Sequence, residues 1–65
     1  MKVRDVLRRL ADDGWNVVRY KGSHRQLQHP IKPGTVTVAG KGSEEVHPKT
    51  LASIWKQAGL DDEGN

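Results

Sequence analysis

Two stretches of this chain repeat apolar residues at helical spacing, and between them lies a stretch that alternates or runs β-rich. Val3, Val6, Leu7 and Leu10 fall at i, i+3, i+4 and i+7, with Lys2, Arg4, Asp5, Arg8, Arg9 and Asp12 away from that stripe, which predicts a helix over residues 2–12. Gly14 stands where a left-handed C-terminal residue is wanted. The β-branched and aromatic run Trp15-Asn16-Val17-Val18-Arg19-Tyr20 then predicts a first strand. Lys21-Gly22-Ser23 reads as a turn, and His24 to His29 alternates. On that second strand His24, Gln26 and Gln28 share one face, and Arg25, Leu27 and His29 share the other. Leu27 is expected inward, so His24 and Gln26 take the open face.

Pro30 ends the second strand, and the two prolines and glycine of His29–Gly34 predict a hairpin loop. Thr35-Val36-Thr37-Val38-Ala39 forms a third strand with valines inward, followed by a stretch, Gly40 to Val46, expected to be flexible. Pro48 suits a first helical turn, and Leu51, Ile54, Trp55 and Ala58 repeat the apolar stripe until Gly59 ends it. The fold class expected is α+β, in the order αβββα: a three-stranded antiparallel sheet with two helices on one face and the other face open. Trp15 and Trp55 are the largest apolar groups and are expected to be packing residues. The adjacent valines 17 and 18 leave the parity of the first strand open, and with it the face on which Tyr20 lies and whether it stacks on a base.

At 65 residues the chain is one domain, residues 1–60, with a polar acidic tail at 61–65 expected to be disordered. It has no cysteine, so neither a disulfide framework nor a thiolate metal site supports the core. No apolar run approaches the roughly 20 residues needed to span a bilayer, and a soluble protein of the cytoplasm is expected. Charge sharpens the picture. Three of the eight acidic residues lie in 61–65, so residues 1–60 carry eleven basic against five acidic side chains, a net of +6. Such an excess favours polyanions, of which nucleic acid is the commonest.

The candidate chemistry centres on Gly22-Ser23-His24. This tripeptide puts an imidazole just after a glycine turn and between the cations Lys21 and Arg25. Histidine is the side chain whose ordinary pKa lets it exchange protons near neutrality, and turn amides flanked by cations can hold a phosphate. The carboxylates show no spacing that suggests an acid–base pair or a two-metal site. His24 and His29 point to opposite faces and His47 lies across a loop, so no metal is expected. Neither GxxxxGK[ST] nor GxGxxG occurs, so no cofactor is expected. RNA brings its own nucleophile, the 2′-hydroxyl, so a histidine base beside an anion site suits RNA far better than DNA. His24 is the candidate catalytic residue; Lys21, Gly22, Ser23, Arg25, Gln26, Lys32 and Lys41 are the candidate substrate contacts.

The run Lys21-Gly22-Ser23-His24-Arg25-Gln26, then His29-Pro30 with Lys32-Pro33-Gly34, then Val36-Thr37-Val38, resembles the HicA family of mRNA interferase toxins. So does the ending from Thr50 to Leu60, and with Gly14-Trp15 the resemblance covers residues 2–60. It implies a fold like a double-stranded RNA-binding domain and a toxin that cleaves mRNA independently of the ribosome. It also implies neutralisation by a HicB-type antitoxin, and an active histidine falling on His24. The chain departs from the family pattern after Val38, where Ala39-Gly40-Lys41-Gly42-Ser43-Glu44-Glu45 replaces a stretch that often continues with proline and histidine. The rival expectation is a non-catalytic double-stranded RNA-binding module, since the same fold serves binding alone.

Overall fold

The apolar stripes become two helices, α1 (Val3–Asp13) and α2 (Pro48–Ala58), flanking the strands β1 (Asn16–Lys21), β2 (His24–Gln28) and β3 (Thr35–Ala39). The computed structural model describes residues 1–60, so the acidic tail at 61–65 lies outside the described residues. The strands form one antiparallel sheet in the order β1-β2-β3. This is the expected αβββα order, with boundaries within one residue of those predicted.

Both helices cover the same face of the sheet. Val3, Val6 and Leu10 of α1, Ile54 and Ala58 of α2, and Leu27, Val36 and Val38 of the strands are buried together with Trp15 and Leu60. Leu7, Leu51 and Trp55 from the same stripes pack at the edge of this core, as does Val17. Threonines 35 and 37 alternate outward. No polar or charged residue is buried among the described residues, so the core is held by apolar burial alone. Truncating Trp15 would cost about 3–5 kcal/mol, a large part of what a domain this small can spare.

β1 resolves its own ambiguity with a bulge. Val17 pairs with Leu27 and faces the core, yet Arg19 pairs with Gln26, so Val18 is the extra residue and is left exposed. The alternation therefore changes phase after Val17. Tyr20, opposite Arg25, comes out on the helix side of the sheet, while Arg19 and Lys21 come out on the open side.

The stretch from Gly40 to Val46 is not a loose linker, contrary to expectation. Helix α1 has no side-chain N-cap. Its first amides are met by main-chain carbonyls of this loop instead: Val3 N–H donates to Glu44 O at 2.9 Å and Arg4 N–H to Gly42 O at 3.1 Å. A bridge between Lys2 and Glu45, and an ion pair between the Met1 ammonium and Glu45 at 2.9 Å, seal the junction. A string of glycines looks mobile in sequence, but here these residues are held by hydrogen bonds to a segment 40 positions away.

At the opposite end of the sheet a polar clasp joins three elements. His29 Nε2 donates to the Asp13 carbonyl at 2.7 Å, while its Nδ1 accepts from the amides of Ile31 and Lys32, each at 3.0 Å. The proton on Nε2 is assigned from this network, the one tautomer that satisfies all three contacts. Lys32 Nζ then bonds the Asp13 carboxylate at 2.6 Å and the Ala58 carbonyl at 3.0 Å. Trp15 completes the set, its indole N–H donating to the same carboxylate at 3.2 Å and its ring meeting His29 edge-on at 5.3 Å. The hydrogen bond and charge of Lys32 hold the Asp13 carboxyl below its ordinary pKa, assisted by Trp15 and His29 and opposed by partial desolvation.

Two expectations follow from the clasp. Because the Asp13 pKa is depressed in the folded state, its contribution to stability is present above the ordinary carboxylate value and fades as pH falls toward the folded one. Thermal melts between about pH 5 and pH 2 should therefore show a shallower acid decline for Asp13→Asn than for the parent, from a lower starting Tm. Gly14 has φ +108° and a Cβ there would lie 2.7 Å from His29 Nε2, so Gly14→Ala adds a clash to backbone strain. Urea unfolding should report a loss of about 2–3 kcal/mol.

Candidate functional site

His24 opens the central strand, paired with Lys21 on one side and Ala39 on the other. Strand alternation sends it to the face opposite Leu27, away from the core, where it is exposed. Two hydrogen-bonded neighbours fix its backbone, so the imidazole is mobile only about its own side-chain bonds. The turn before it has two residues, Gly22 and Ser23. Gly22 takes φ +60° and no non-glycine residue has a positive φ, which fits a type II′ hairpin turn with glycine at its first central position. Ser23 O accepts from Gly40 N–H at 3.2 Å, extending the β2–β3 ladder. The N–H groups of Gly22 and Ser23 donate to no protein group among the described residues.

Lys21, Gly22, His24, Gln26 and Thr37 line a shallow depression of about 490 Å³ on the open face. An imidazole, an ammonium and the turn glycine thus line one patch, with Ser23 next to it in the chain and no carboxylate in its lining. Such a patch can hold a phosphodiester and exchange a proton beside it.

The candidate contacts chosen on charge divide differently in space. Lys21, Gly22 and Gln26 share the depression with His24, and Ser23 lies in the turn beside it. Lys41, exposed, follows Gly40 at the same end of the sheet. Arg25 is placed elsewhere: opposite Tyr20, it lies on the helix side and its Nη1 donates to Gly40 O at 2.7 Å. Lys32 is placed elsewhere too, committed to Asp13 and Ala58 in the clasp. A cation fixed on two protein oxygens is not free to neutralise phosphate, and one behind the sheet cannot reach a substrate lying on its front. Arg19 takes the open face instead, opposite Gln26. The bulge at Val18 puts it there, and the Val17-Val18 pair was the only sign of irregularity in the chain.

The other two histidines do structural work. His29 belongs to the clasp, and His47 caps α2, its Nδ1 accepting from Lys49 N–H at 3.1 Å. Among the described residues no three His, Asp, Glu or Cys side chains gather in a way that could hold a metal ion.

The comparison with protein families decides where this arrangement belongs. Residues 3–60 match the family described as HicA toxin of bacterial toxin-antitoxin. This chain belongs to the HicA toxin family. No curated protein matches it. As a HicA toxin it is one half of a toxin-antitoxin system and has an antitoxin as partner. No helix of this HicA chain, among the described residues, is long and apolar enough to cross a membrane.

The turn that carries His24 in this HicA chain is testable by itself. A Cβ at Gly22 would meet open space, so Gly22→Ala suffers only the left-handed backbone. It should lower stability by about 1–2 kcal/mol, less than Gly14→Ala, when the two are compared by urea unfolding.

Proposed function

We propose that the chain is an endoribonuclease that cleaves mRNA independently of the ribosome and without a metal, with His24 as general base. The observation that carries this is the exposed imidazole at the start of the central strand, lining the same open depression as Lys21 and Gly22. The imidazole takes the proton of a 2′-hydroxyl, and that oxygen attacks the adjacent phosphorus. The P–O5′ bond breaks, leaving a 2′,3′-cyclic phosphate on one fragment and a 5′-hydroxyl on the other. Lys21, across the strand pair from His24, and the amides of Gly22 and Ser23 offset the charge that builds on the phosphorane oxygens. Lys21 also stands on the correct face to protonate the departing 5′-oxygen, as does Ser23 in the turn. Gln26, Arg19 and Lys41 extend the patch along the RNA backbone, whose binding weakens with salt.

A HicB-type antitoxin is the partner this reading requires. It silences the enzyme by covering the open face, with acidic groups set against Lys21 and Arg19 and His24 shielded from phosphate. Complementary charge also speeds its capture of newly made toxin.

His24→Ala tests the proposal. The side chain is exposed and makes no contact in the core, so the variant should melt within about 0.5 kcal/mol of the parent. Incubated with labelled RNA in EDTA, the parent should produce fragments ending in cyclic phosphate and the variant none, while RNA affinity stays close to the parent's. RNA with a 2′-methoxy group at the cut site should resist the parent. Cleavage by the folded variant removes His24 from the mechanism, and cleavage of the methoxy RNA removes the internal nucleophile. A parent that binds RNA in a His24-dependent way and never cuts is the binding module instead.

A further inference from the structure

A second cavity lies on the other side of the sheet, between α1 and the edge strand β1, and it combines three arginines with an exposed aromatic ring. Arg4, Arg8, Tyr20 and Arg25 line it over an apolar floor that includes Leu7 and Val17, enclosing about 460 Å³. That is within the range of small-ligand sites and large enough for one nucleoside with its phosphate. Tyr20 is 70% exposed, a large apolar surface that the fold leaves uncovered. Arg4 and Arg8, one helical turn apart on α1, form no ion pair or side-chain hydrogen bond among the described residues. Arg25 spends only Nη1, on Gly40 O. No carboxylate lines the cavity.

We propose that this groove binds a nucleotide of single-stranded RNA that flanks the cut site, with its base on Tyr20 and its phosphate held by Arg4, Arg8 and Arg25. The proposal rests on the nuclease reading of the open face. Three features of the molecule favour RNA as the occupant. A tyrosine held on a strand beside a planar guanidinium offers two flat surfaces for a base, and it does so without regard to sequence. The forks of Arg4 and Arg8, with the donors that Arg25 keeps beyond Nη1, match phosphate oxygens. The third is continuity with His24. Tyr20 and Arg25 are a cross-strand pair, and the next pair along the same hairpin is Lys21 and His24, on the opposite face. Because β1 is an edge strand, an RNA backbone can pass around it from one face to the other. The bulge at Val18 makes this possible, since it turns Tyr20 toward the helices and Lys21 away from them.

The groove therefore acts on binding and on where the RNA is set, and takes no part in the chemistry. Its test uses the non-cutting His24→Ala protein and fluorescence anisotropy with a short RNA that fills only the open face and a longer one that reaches beyond it. Adding Tyr20→Ala should weaken binding of the long RNA about tenfold and leave the short RNA unchanged, and Tyr20→Phe should restore the parent affinity. Arg8→Ala should reduce the slope of log affinity against log salt by about 0.7 for the long RNA alone. In the cleaving chain the same changes should raise KM for the long RNA without changing kcat. Equal affinity for both RNAs in parent, Tyr20→Ala and Arg8→Ala overturns the proposal. So does a loss of antitoxin binding with RNA binding intact, which would make the groove a protein-docking surface. Absence of cleavage by the parent chain sinks the nuclease reading alone, since the affinity comparison is made in a protein that cuts nothing.

Discussion

Lys32 ties both helix ends to the β2–β3 loop at the place where the architecture is electrostatically least favourable. Both helices end at the same end of the sheet, and each helix C-terminus carries a partial negative charge from its unsatisfied carbonyls. Helix α1 makes matters worse by ending on an acid, Asp13, with no basic residue in its last turn. One ammonium, delivered by the β2–β3 loop, answers both: it pairs with the Asp13 carboxylate and bonds the Ala58 carbonyl of α2. His29 anchors the loop that carries it by accepting from the Lys32 amide itself. In a chain with no cysteine and ten buried apolar side chains among the described residues, this is a tie between elements that apolar packing does not supply.

That tie has a price in positive charge. A lysine used to neutralise two helix ends is unavailable to a polyanion, and the open face is left to Lys21 and Arg19 with Lys41 at its border. The division of labour is spatial. Lys32 sits where the helices end, while Lys21, Arg19 and Lys41 lie on or beside the open face and Arg4 and Arg8 on the flank of α1. The net excess of basic residues thus overstates how many can meet a polyanion.

Most of the architecture was legible in the sequence because it is written in periodicity. The two apolar stripes, the alternation from His24 and the paired valines of β3 each reflect the burial of one face, and burial is what dictated their position. The orientation of His24 followed from the same rule, once Leu27 was placed inward. What was not legible depended on contacts between distant residues. Adjacent valines can be accommodated by either phase or by a bulge, and pairing with β2 chose the bulge. Lysines 21 and 32 look alike in a list, and only the arrival of Asp13 and Ala58 beside one of them tells them apart. Arg25 was grouped with His24 on charge even though its parity with Leu27 pointed to the other face; the parity was the better guide to where it lies. The glycine-rich stretch after β3 was misjudged for the same reason, since its partners lie at the start of the chain.

That stretch has a consequence for how the protein can change. Helix α1 is capped by carbonyl oxygens of residues 42 and 44, and a carbonyl is the same whatever side chain accompanies it. Ser43 and Glu44 can be exchanged with little effect on the helix, which is compatible with the departure from the family pattern at just this point, while Glu45 keeps its ion pair with the Met1 ammonium. Its length is another matter. Removing or adding one residue between Gly40 and Val46 would move those two oxygens out of register with the amides of Val3 and Arg4. Its exposed positions 43 and 44 are therefore permissive to substitution, Gly40 at φ +103° and Val46 against the core are not, and the whole is intolerant of insertion or deletion, unlike most surface loops.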